Sequence, residues 1–112
     1  MDLFDEYLQQ IHVEDFTETL TFQGKIFGEI KLDLTKKEFL ENMLQYREKF
    51  QYAQGVCICL SHDIERLDEE MRTNIFDMLE NENIEAHSIK KNKTLECKEG
   101  LYSYQIIFSG LK

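Results

Sequence analysis

The chain has no proline. That excludes a proline-rich linker and any recognition motif of the polyproline type, and it fits a fold without long structureless connections. Glycine is sparse, five in 112 residues, scattered at positions 24, 28, 55, 100 and 110. No phosphate-cradling pattern can be drawn through them, so nucleotide binding has no support. Cysteine is scarce and odd in number, and Cys57, Cys59 and Cys97 do not make a disulfide framework. A basic opening segment and a long apolar run are also missing. Neither a signal peptide nor a membrane-spanning helix is therefore expected, which predicts a cytoplasmic protein with reduced thiols.

Positive charge is the least evenly distributed property. Residues 1–18 carry no Lys or Arg against Asp2, Asp5, Glu6, Glu14, Asp15 and Glu18. Residues 63–85 hold nine acids, opposed only by Arg66 and Arg72. The stretch between these blocks is near neutral and the last part of the chain is slightly basic, while the whole carries a net charge of −9. A segregated negative surface repels nucleic acid and anionic membrane and attracts basic partners.

What is present suffices for a core. Hydrophobic residues make up 42% of the chain, with eight Phe and five Tyr. A chain of this length buries about two thirds of its unfolded surface, so one globular domain over 1–112 is expected.

Asp2 to about His12 reads as a short helix with Leu3, Phe4, Tyr7, Leu8 and Ile11 on one face. Thr17 to Leu34 alternates as a half-buried β-hairpin, with Leu20, Phe22, Ile26, Ile30, Leu32 and Leu34 sharing the buried parity. Paired residues must share a face, so the loop has odd length, either at Gln23-Gly24-Lys25 or centred on Gly28. Thr35-Lys36-Lys37-Glu38 matches the capping box and starts a helix that runs to about Gln51 or Tyr52. Its buried side is expected to hold Phe39, Leu40, Met43, Leu44, Tyr46 and Phe50.

Val56 to Leu60 is apolar at every position, the mark of a central strand covered on both faces. A third helix is predicted over Asp63 to Glu80, capped by Ser61 or Asp63, with Ile64, Leu67, Met71, Ile75 and Met78 inside. Ile84 to Lys90 reads as a strand, Lys90 to Lys93 as a turn, Leu95 to Cys97 as a short strand, and Leu101 to Ser109 as the final strand. The predicted class is α+β, in the order α-β-β-α-β-α-β-β or with one strand fewer at the end. A mixed or antiparallel sheet of four to five strands packs against the helices, and the strand-helix-strand segment makes a parallel crossover.

Few residues suggest chemistry. Cys57 and Cys59 share one strand face, close enough for a soft metal or a redox couple, but a structural zinc site needs four ligands and no second pair exists. They read as core residues. Ser61-His62-Asp63 names the members of a hydrolase triad, yet a triad converges from separate positions in the chain. His12, His62 and His87 are dispersed, the acid run has no calcium-loop pattern, and the Lys90, Lys91, Lys93 cluster is too small for a nucleic-acid site. No catalytic residue, cofactor or metal is assigned.

The acidic helices remain. Glu65, Asp68, Glu69, Glu70 and Arg72 crowd about two turns, and most of these acids lack a Lys at i+4. Uncompensated like charges cost helix stability, which is easier to understand if the field has a use. The leading reading is a bacterial or phage binding protein, not an enzyme, that neutralises a basic toxin or nucleic-acid enzyme. Size and acidity resemble those of immunity proteins and anti-defence inhibitors, a match of composition alone. Tyr7, Asp68, Glu69, Asp77 and Glu80 are the candidate contacts. The alternative is an accessory or dimerising subunit that uses Tyr102, Tyr104, Ile106 and Phe108 of the final strand.

Overall fold

The computed structural model of the chain describes residues 24–111. The helix expected at Asp2 to His12, the first arm of the expected hairpin, and Tyr7 lie outside these residues. The described elements are β1 (Lys25–Leu34), α1 (Lys36–Gln45), α2 (Arg47–Tyr52), β2 (Gly55–Leu60), a 3₁₀ turn (Ile64–Arg66), α3 (Glu69–Leu79), β3 (Ala86–Lys91) and β4 (Tyr102–Leu111). The four strands form one mixed sheet in the order β1-β4-β2-β3. β4 runs antiparallel to β1 and to β2, whereas β2 and β3 are parallel across the α3 crossover. The class is α+β, as the pattern predicts.

β2 is apolar throughout because both of its faces are covered. Val56, Ile58 and Leu60 pack under the helices with Ile106, Phe108 and Tyr104 of β4. Cys57 and Cys59 point the other way and join Ile107 and Leu95. The helical side of the core is closed by aromatic edges. Phe50 meets Phe108 at 4.9 Å between ring centres, and Phe39 meets Tyr104 at 5.6 Å, both near perpendicular.

β1 departs from its expected parity. Gly28 lies inside the strand, paired with Ile107, so the loop centred on Gly28 does not form. Gly24 precedes β1 at a positive φ of 125°. Ile26 is 57% exposed and Leu32 38%, while Phe27 packs against the helical core. The cause is a bulge. Between Lys31 and Leu34 the register with β4 shifts by one residue, with Asp33 in the left-handed region at φ 55°. One extra residue exchanges the two faces. Leu34 therefore shares the helical core with Phe27, of opposite parity.

Thr35 caps α1 as predicted. Its hydroxyl accepts from Glu38 N at 3.2 Å, and the Glu38 carboxylate accepts from Thr35 N at 3.1 Å. The Thr35 N–H and hydroxyl hold the Glu38 carboxyl below its ordinary range. The helix breaks at Tyr46, where φ is −86° and ψ 0°, and α2 then continues to Tyr52. Leu44, expected inside, is 55% exposed.

α3 begins later than predicted. Neither Ser61 nor Asp63 caps it; Asp63 opens the 3₁₀ turn, the chain extends through buried Leu67, and Asp68 caps the helix by accepting from Met71 N at 3.0 Å. The expected strand at Leu95 to Cys97 does not form; the segment is irregular and follows a turn at Lys93 and Thr94. Asn92 Oδ1 accepts from Thr94 N and Oγ1 there, and Leu95 is used to cover the second sheet face. Lys90 and Lys91 end β3 rather than lying in the turn.

The final strand is interior to the sheet. Tyr104, Ile106 and Phe108 are buried beneath the helices, so they are not available as the dimer contact of the alternative reading.

Candidate partner-binding groove

α1 and α3 pack side by side on the same sheet face. Along α1, Lys36, Leu40 and Leu44 recur at i, i+4 and i+8 and form one row. Leu40 and Leu44 face a shallow open groove of about 570 Å³ whose remaining lining is Glu69, Glu70, Thr73, Asn74 and Asp77 of α3. The spacing of the α3 residues places them on the outer and α1-facing sides of that helix, since Met71, Ile75 and Leu79 take the inner side.

One end of the pair is tied by charge. Lys36 Nζ lies 2.8 Å from Asp68 Oδ2 and 2.8 Å from Glu70 Oε2. The hydrogen bond from Lys36, followed by that from Met71 N, holds the Asp68 carboxyl below the usual aspartate range. Asp68 first and Glu70 second raise the Lys36 ammonium above its ordinary value. The acid run is thus partly compensated by a residue 32 positions upstream, which an i+4 count within the run cannot detect.

The candidate contacts divide accordingly. Glu69 and Asp77 line the groove. Among the described residues, neither has an ion-pair partner. Asp68 is committed to capping α3 and to Lys36. Glu80 is exposed at the C-terminal cap of α3 and lies apart from the groove lining. The residues missed from sequence are Leu40, Leu44, Glu70, Thr73 and Asn74. The Leu40 and Leu44 spacing was visible, but nothing local distinguishes an apolar row facing the sheet from one facing a cleft.

The other candidates have structural roles. Cys57 and Cys59 are 1% and 2% exposed in the second core cluster. Cys97 Sγ donates to Leu101 O at 3.2 Å. Among the described residues, no three His, Cys, Asp or Glu side chains gather as metal ligands, and no helix is long and apolar enough to cross a membrane. Ser61 Oγ lies 2.9 Å from His62 Nδ1 and accepts from Ser103 N at 3.0 Å, tying the end of β2 to β4. Asp63 turns to Arg66 at 3.9 Å, so its carboxylate is directed to an arginine.

No protein-family model matches the chain, and no curated protein matches it. Its functional reading rests on the residues themselves.

Proposed function

We propose that the chain is a small binding protein without a reaction of its own, whose acidic helical face takes a basic protein partner. The observation that carries this reading is the meeting of Glu69, Glu70 and Asp77 with Leu40 and Leu44 in one cleft. A solvent face built only for solubility has no need of part-exposed leucines along one wall of a cleft facing carboxylates on the other, whereas a docking surface combines apolar and polar contacts. The partner class is a toxin or nucleic-acid enzyme. Carboxylates of this chain would pair with the basic residues that hold phosphates and keep the anionic substrate out, as an immunity or anti-defence protein does.

Electrostatic steering makes such association fast and salt-sensitive. The test is the association rate of the chain with its co-purifying partner across about 0.05 to 0.5 M salt. The expected outcome is a fall of about tenfold or more, with Glu69→Lys and Asp77→Lys each slowing association. A rate that ignores both salt and charge reversal overturns the proposal.

A further inference from the structure

We infer that the groove between α1 and α3 receives a basic amphipathic helix of the partner, rather than a loop or an unstructured polycation. The inference rests on the docking reading above and specifies what the partner presents.

Two features make the groove directional. Its apolar residues, Leu40 and Leu44, come from α1, whereas Glu69, Glu70 and Asp77 all come from α3. Lys36 has already neutralised part of the first turn of α3 through Asp68 and Glu70. Of the acids that line the groove, those left without an ion-pair partner among the described residues are Glu69 and Asp77. Those two positions are eight residues apart, about 12 Å along the helix axis.

Parallel rows on neighbouring helices leave a channel that accepts the side-chain ridge of a third helix. The matching helix carries apolar residues at i and i+4 against Leu40 and Leu44. On the flank facing α3 it carries Lys or Arg seven or eight positions apart. Solvent-exposed charge pairs contribute little affinity, so the apolar contact supplies most of it and the carboxylates set the orientation. An unstructured polycation would gain only the weaker part.

The probes are two synthetic peptides of about 18 residues, long enough to be helical when bound. One has Leu at i, i+4 and i+7 with Lys and Arg on the adjoining flank. The other has the same composition in scrambled order. Binding to the full chain is read by fluorescence anisotropy at about 0.15 M salt. The patterned peptide is expected to bind about tenfold tighter than the scrambled one. Leu44→Glu removes that advantage without lowering the melting temperature, since Leu44 is largely exposed. Equal binding of the two peptides, or an unchanged preference in Leu44→Glu, overturns the helix inference and leaves salt-sensitive docking intact. Binding of neither peptide, or binding unaffected by Glu69→Lys with Asp77→Lys, overturns the docking reading as well.

Discussion

The hydroxyls of Tyr46 and Tyr104 lie 2.6 Å apart, and Tyr46 Oη also donates to Glu29 Oε1 at 2.9 Å. Tyr46 has one proton, and the carboxylate takes it, so Tyr104 donates to Tyr46. The chain of hydrogen bonds thus joins the α1–α2 break, the central strand β4 and the outer strand β1. Tyr46→Phe leaves the Tyr104 hydroxyl without its acceptor and Glu29 with the Lys31 ammonium, 3.3 Å away, in place of the phenol. Loss of a buried partner costs about 1–3 kcal/mol, and urea unfolding should report a loss in that range. Tyr104→Phe leaves the Tyr46-to-Glu29 bond in place and should cost less. Equal losses would mean that the bond from Tyr46 to Glu29 adds nothing beyond the bond between the two hydroxyls.

The same burial predicts an alkaline limit. Desolvation pushes the Tyr104 phenol up from its ordinary 10.0 to about 12, and burial, then Tyr104, then Glu29 push Tyr46 higher still. Below pH 10 both phenols are neutral, folded or unfolded, and their contribution is constant. Above pH 10 the unfolded chain releases the Tyr104 proton while the folded chain keeps it, so stability falls as pH rises towards 12. Melting temperature measured across that window should decline less steeply in Tyr104→Phe. An unchanged slope would place the alkaline sensitivity elsewhere.

These residues also show what could be read from sequence. The Thr35–Glu38 box and the uniformly apolar β2 are local patterns, and local patterns declare themselves. The parity of β1 is not legible in the sequence, because an extra residue at a bulge leaves no trace in hydrophobicity and Asp33 looks like any polar strand residue. Of the site, Glu69 and Asp77 were legible from charge. Lys36 and the Leu40–Leu44 row were not, because their roles arise from α1 lying against α3, a contact between segments about thirty residues apart.

Asp68 and Lys36 give a second pH dependence, of opposite sign. The folded Asp68 carboxyl is held below its ordinary 3.8. Its stabilisation is present above that value and disappears as pH falls through the lowered folded value. Asp68→Asn keeps a side-chain acceptor for Met71 N but loses the charge pairing to Lys36. Asp68→Ala loses both, so Asn should melt between wild type and Ala at neutral pH, and both variants should be less acid-sensitive than wild type. If Asn and Ala melt together, the cap contributes nothing beyond the ion pair.

Core and groove substitutions should separate cleanly. Met71 is fully buried on the inner side of α3, and Met71→Ala should cost about 2–5 kcal/mol through lost burial and the cavity left behind. Leu44→Ala removes a side chain already in contact with water and should change stability by about 0.5 kcal/mol or less. Paired denaturation curves check this directly. A large loss at Leu44 would place it in the core and remove the apolar centre from the proposed docking surface.

Asp33 holds the bulge by two backbone contacts. Its N–H donates to Ser103 Oγ at 3.0 Å, and its carboxylate accepts from Lys98 N at 2.9 Å, pinning the segment before β4. A left-handed conformation is tolerated by Asp and Asn and is free of cost only for Gly. Asp33→Asn retains both the conformation and an acceptor and should be close to neutral. Asp33→Gly relieves the backbone but releases Lys98, whereas Asp33→Ala loses the acceptor and keeps the strain, at about 1–2 kcal/mol. Hydrogen exchange separates the contributions. The Lys98 amide should exchange faster in Gly and Ala but not in Asn, while stability should fall further in Ala than in Gly. Protection of Lys98 in the Gly variant would mean that the turn at Lys98 to Gly100 is held by Leu101 N donating to Lys98 O, and not by Asp33.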